Sequence, residues 1–122
     1  MYKKKSILDI ILDITSKWKD RTCLINGDET FISSSFIQQV MKELGKNISN
    51  SIEEQIKEGK EVEIKDMILG DCIYLKNDEG INYVSLYIGN NKMIYALSPK
   101  RKVIEKDIGP HNNIKKIRRF LD

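Results

Sequence analysis

The chain has 122 residues, 40% of them hydrophobic and 32% charged, which is room for one packed core and too little for two. Its 21 basic and 18 acidic residues leave a net charge of +3. The small basic clusters at 3–5, 100–102 and 115–119 are scattered along the chain rather than gathered on one element, so nothing marks a nucleic-acid footprint. Two cysteines, Cys23 and Cys72, and one histidine, His111, are too few for a structural zinc site. No cofactor is expected, and no apolar run approaches the roughly 20 residues of a membrane span.

The opening "MYKKK" followed by "SILDIILDI" has the outline of a signal peptide. Asp9 and Asp13 interrupt the apolar run, however, and no small-residue cleavage site follows. Ile7, Ile11, Ile14 and Trp18 recur at helical spacing with Leu8 and Leu12 beside them, which predicts an amphipathic helix over 6–18. On this reading the chain is cytoplasmic and its thiols are reduced.

"KDRTCLINGDET" is a polar loop with a turn at Asn26-Gly27-Asp28. Phe36, Ile37, Val40, Met41 and Leu44 then mark a second amphipathic helix, expected over 34–45, with Gly45 placed to end it. Ser35 and Gln38 fit a capping box at its start, and Ser51 with Glu54 fits another at the head of a short third helix that reaches about residue 58. Beyond Glu61 the character changes to strands: "DCIYLKN", then "NYVSLYI" and "KMIYAL" as a hairpin around Gly89-Asn90-Asn91, then "KVIEKDI" and "IKKIRRFL". Helices first and a mostly antiparallel sheet after them make an α+β domain whose strands all follow about residue 70.

Four of these segments together resemble the NlpC family of bacterial cell-wall cysteine peptidases, small papain-like domains that cut peptidoglycan stem peptides. "ISSSFIQQVMKELG" stands where the family carries an Asp-Cys-Ser-Gly motif leading into a helix. "LGDCIYL" resembles its "pGDLV" strand, and "YVSLYIGNNKMIYA" resembles its hairpin "HVGIYIGNGKMIHA". The closing strand, often basic in the family, resembles "IKKIRRFL". The resemblance covers nearly the whole chain and implies a single NlpC-like domain over 1–122.

It also implies where the chemistry should be. Such a peptidase needs a thiolate at a helix N-terminus, a histidine to exchange protons and a polar group to orient the imidazole. Carried over position by position, these roles fall on Ser33, Tyr83 and Tyr95, and none is the family's residue. A serine hydroxyl needs an adjacent base, which a tyrosine with a pKa of about 10 does not supply. Ser33 therefore reads as a helix-capping serine. Cys72, in an alternating strand, reads as a small core residue rather than as a nucleophile working with His111, and Cys23 reads as incidental. Two family glycines are replaced by Ser35 and Ser85, which adds side chains where the family keeps the backbone bare.

The expectation is a degenerate member with no catalytic residues. Ser33, Tyr83, Tyr95 and Trp18, with Phe31 nearby, would line a partly filled aromatic cleft. Its function would be protein interaction or assembly in a bacterial, phage or plasmid-borne system, through an unknown protein partner. The alternatives are binding of a peptidoglycan-derived stem peptide without cleavage and, further off, hydrolysis at an unconventional site.

Overall fold

A computed structural model describes residues 9–13, 29–96, 103–109 and 113–121. Helix α1 spans Glu29–Glu43 and the one-turn α2 spans Ile52–Gln55. Six strands follow: β1 Lys60–Glu61, β2 Cys72–Lys76, β3 Asn82–Gly89, β4 Lys92–Ala96, β5 Val103–Asp107 and β6 Asn113–Arg119. They form one sheet in the order β1-β6-β2-β3-β4-β5, with every neighbouring pair antiparallel. Among the described residues no helix is long and apolar enough to cross a membrane.

The central strands are apolar on both sides because both sides are covered. Along β3, Val84, Leu86 and Ile88 face one way and Tyr83 and Tyr87 the other, as the two-residue period of a strand requires. The first face carries Cys72, Tyr74, Val84, Leu86, Ile94 and Ala96, and α1 buries Phe36, Ile37, Val40 and Met41 against it. The second face carries Ile73, Leu75, Tyr83, Met93, Tyr95 and Ile117, with Val62, Met67, Ile108 and Ile114 packed around it. The outer strands are different. β5 exposes Ile104, Glu105, Lys106 and Asp107, and charged side chains along a free edge discourage pairing with another chain.

The hairpin turns where the sequence places it. Asn90 and Asn91 both take positive φ, 52° and 60°, the requirement of a two-residue type I′ turn, and asparagine tolerates that region better than other residues with a Cβ. α1 ends as expected at Gly45, φ 88°. There the amide of Gly45 donates to Lys42 O and that of Lys46 to Met41 O, the paired bonds of a Schellman cap. Ser51 caps α2, its hydroxyl accepting the Glu54 N–H at 3.3 Å.

Three expectations change. α1 begins at residue 29 rather than 34, so Ser35 lies inside the helix and Ser33 one turn inside it, and neither caps it. Gln38 does not complete a capping box, because its amide donates to Ile48 O at 3.1 Å. The two-residue β1 precedes residue 70 and pairs Lys60 and Glu61 with Arg119 and Arg118. Gly59, φ 71°, permits that approach: a Cβ there would lie 2.8 Å from Arg119 O. Of the helix expected over 6–18, residues 9–13 are helical, with Ile11 buried in the α1 core. The remainder, with Trp18, Cys23, His111 and the Phe31 side chain, lies outside the described residues.

Candidate functional site

Ser33 is fully buried where α1 meets the start of β3, and its Oγ accepts the backbone N–H of Val84 at 3.2 Å. The Ser33 hydroxyl thus ties helix to sheet one residue from Tyr83. Tyr83 and Tyr95 lie on the second face of the sheet with ring centroids 5.1 Å apart and planes tilted by 53°, within the range of favourable aromatic pairs. Each tyrosine is 7% exposed. Both rings are buried in the second-face cluster, and Trp18 and the Phe31 side chain, expected beside them, lie outside the described residues.

Their hydroxyls are another matter. Neither has a hydrogen-bond partner among the described residues, and Arg118 Nε alone among the described side-chain polar atoms is both buried and unpartnered. Desolvation, the neighbouring Tyr95 and then Asp78 push the Tyr83 phenol up to about 12, and burial also raises Tyr95. Both remain protonated at neutral pH and offer a donor, with no capacity to act as a base.

Two of the other serines near these positions, Ser34 and Ser85, are spent on the fold. Ser34 Oγ donates to Asn50 O at 2.7 Å. Ser85, on the second face, is buried with its Oγ 3.4 Å from Ile73 O and 3.2 Å from Met93 Sδ. Beneath Ser34 lies a hub that the sequence did not disclose. Gln55 is fully buried, donates to Ser34 O and Ser49 O, and accepts from the Tyr74 hydroxyl at 3.0 Å. A signal for it exists: Gln55 follows Ile52 by three and precedes Ile56 by one, so it is a polar residue on the apolar face of its helix.

Cys72 is buried on the α1 side of β2, as expected of a core residue, and burial beside Asp71 raises its thiol far above the usual range. Asp71 itself, 1% exposed, is the second group the sequence left unexplained. Its carboxylate accepts Arg119 Nε at 2.8 Å, Arg119 Nη2 at 2.9 Å and the Ile68 N–H at 2.9 Å. Arg119 Nη2 also donates to Asp66 O, and the bond to Asp71 holds the guanidinium even more firmly protonated. The Gly-Asp pair and the basic last strand are one device, a clamp between the start of β2 and the end of β6. Among the described residues, no three His, Cys, Asp or Glu side chains come together as metal ligands.

The profile of the NlpC/P60 family matches residues 20–119. The chain belongs to this family. It is 37% identical over 73 residues to the gamma-D-glutamyl-L-lysine dipeptidyl-peptidase of Bacillus subtilis (strain 168), a match covering 57% of this chain and 24% of that one. The chain thus spans about a quarter of that relative's length. Among solved structures, it superposes on an NlpC/P60 family protein from Bacillus cereus with a TM-score of 0.65 at 26% identity, over 74% of this chain and 32% of the other. It superposes on RipD of Mycobacterium tuberculosis with a TM-score of 0.72 at 19% identity, over 97% of this chain and all of the other. RipD is described as a non-catalytic NlpC/p60 domain protein adapted to peptidoglycan binding. These likenesses agree with the papain-like α+β fold that the sequence implies.

Proposed function

We propose that this NlpC/P60 domain is a pseudo-peptidase, a binding module that performs no peptide-bond chemistry and serves protein interaction or assembly in a bacterial, phage or plasmid-borne system. The observation that carries the reading is the state of Ser33. The hydroxyl is buried and already accepts the Val84 N–H, and the partner positions hold Tyr83 and Tyr95, phenols with raised pKa that cannot take its proton. Each of the three catalytic roles thus has an occupant incapable of it.

A second reading keeps the family's ligand without the cleavage, a peptidoglycan stem peptide held at Tyr83 and Tyr95 with Ser33 nearby. It is favoured by the two tyrosine hydroxyls that have no hydrogen-bond partner among the described residues, and the description of RipD offers a precedent on the same fold. One set of measurements tests both. Purified chain incubated with purified cell wall releases no new amino groups, and release that disappears in Ser33→Ala would overturn the pseudo-peptidase reading. Stem-peptide binding lost in both Tyr83→Ala and Tyr95→Ala favours the second reading, whereas a co-purifying protein partner with no peptide binding favours the first.

A further inference from the structure

The two edges of the sheet are finished differently. β5 forms one edge and exposes residues 104–107. At the other edge β1 covers only part of β6. Its two residues pair with Arg119 and Arg118, and the Val62 N–H donates to Ile117 O before the chain turns away into a 3-10 turn at Ile64–Asp66. β2 pairs with the inner edge of β6 as far as Asn113. Among the described residues no strand pairs with the outer edge of 113–116, where Asn113, Lys115 and Lys116 are exposed.

Beside that stretch lies an open groove of about 670 Å³ between β6 and residues 61–65. Val62, Ile114 and Ile117 of the second-face cluster line it, and so does Ile64, which is 60% exposed. Its charges nearly cancel, because Glu61 lies 3.5 Å from Lys116 and Glu63 lies 3.5 Å from Lys65. Lys115 lines the groove with no ion pair among the described residues, which leaves one uncompensated positive charge. An occupant has to meet all of these features. Unpaired backbone donors and acceptors call for another extended backbone, and residues 113–116 offer it about 13 Å of edge. The apolar lining calls for apolar side chains at alternate positions, and the lysine calls for a carboxylate. A second copy of this chain is disfavoured, since β6 laid against β6 brings Lys115, Lys116 and Arg118 onto the same basic residues.

We propose that residues 113–116 and the groove beside them receive an extended acidic segment of a partner protein as an added strand in line with β1, with its apolar side chains on Val62, Ile64 and Ile114 and a carboxylate on Lys115 Nζ. Strand addition at a free sheet edge is an established recognition mode, in which main-chain bonds supply affinity and alternate side chains supply selectivity. Lysines and a register shift such as the one opposite Tyr74 and Leu75 also blunt an edge. Here they turn away further copies and leave the apolar groove to an acidic chain. The proposal rests on the reading that the domain serves protein interaction, and it gives that interaction a surface separated from Tyr83 by β2.

Calorimetry of the whole chain with synthetic peptides tests it. The parent peptide is N-acetyl-Gly-Val-Glu-Val-Glu-Val-Gly-amide. One relative carries Lys in place of each Glu, another is N-methylated at the Val nitrogens, and a third is N-methylated at the Glu nitrogens. The parent binds roughly tenfold tighter than the Lys peptide, the scale of one charge-assisted hydrogen bond. A strand turns alternate N–H groups toward its neighbour, so one methylated peptide loses about tenfold or more while the other binds like the parent. Lys115→Ala weakens the parent several-fold, and Lys115→Glu reverses the preference between the Glu and Lys peptides. Ile64→Ser, at an exposed position that tolerates the change, weakens both, whereas Ile104→Ser on β5 alters neither. No binding of the parent at about 5 mM would leave the edge merely blunted and overturn the proposal. So would equal effects of the two methylations, a loss in Ile104→Ser matching that in Ile64→Ser, or a dimer of the free chain that the parent peptide dissociates. The pseudo-peptidase reading fails separately, on amino-group release from cell wall. The interaction reading outlives a failure here when a co-purifying partner is retained by both Lys115→Glu and Ile64→Ser.

Discussion

Two regions of the molecule carry the family's sequence features, and they have fared differently. At the start of β2 the Gly-Asp pair is present and fully employed, with Asp71 buried and bonded to Arg119 and to the Ile68 amide. Around the start of β3 stand Ser33, Tyr83 and Tyr95, which the proposed reading places at the catalytic positions, and their contacts are those of packing, a backbone bond and a ring pair. The features kept are those that close the sheet. The features exchanged, on the proposed reading, are those that would make a nucleophile. A fold can lose the second set without losing the first because a nucleophile contributes chemistry, whereas a buried carboxylate with three bonds contributes directly to stability.

The comparison can be broken by mutation, and the clamp should show the largest effect. Asp71→Ala removes the acceptor for two Arg119 donors and the Ile68 amide, and should cost about 3 kcal/mol in chemical denaturation. A loss under 1 kcal/mol would mean that the Gly-Asp motif is not the structural half of the comparison. Gln55→Ala comes next, at about 2–3 kcal/mol, since it strands the Tyr74 hydroxyl and the Ser34 and Ser49 carbonyls in the interior.

Ser33→Ala should cost about 1–2 kcal/mol, the scale for a buried amide left without its acceptor. No loss at all would indicate that the Val84 N–H finds another partner and that Ser33 is not a tie between α1 and β3. The smallest effect belongs to Tyr83→Phe, under about 0.5 kcal/mol, because the hydroxyl removed has no hydrogen-bond partner among the described residues. Tyr74→Phe, on the opposite face of the sheet, should exceed it at about 1 kcal/mol by leaving Gln55 Oε1 without its donor.

Alkaline pH sharpens the same contrast. Tyr83 has its folded-state pKa raised from 10.0 to about 12, so between those values the unfolded chain gives up a proton that the folded chain retains. Fewer protons on the unfolded state mean that stability falls as pH rises through that window, and the raised Tyr95 adds to the same slope. Denaturation midpoints measured across the window should decline less steeply in Tyr83→Phe. An identical slope would mean that the ring is hydrated and not packed as the structure has it.

Much of the architecture was determined by the sequence itself, because its signals are local. Strand alternation in "NYVSLYIG", two asparagines at the tip of the hairpin, a glycine ending α1 and a serine capping α2 each follow from backbone sterics within a few residues. The family was legible too, in the motifs "LGDCIYL" and "YVSLYIGNNKMIYA" whose spacing survives. Only the tertiary structure decided what Ser33, Tyr83 and Tyr95 do. That α1 begins a turn early, that the Ser33 oxygen faces Val84 across 51 residues and that Asp71 meets Arg119 across 48 are contacts between distant segments. No local periodicity encodes them. They arise when the apolar faces of helix and sheet are buried together, and the polar atoms carried inside must then find partners wherever the packing has placed them.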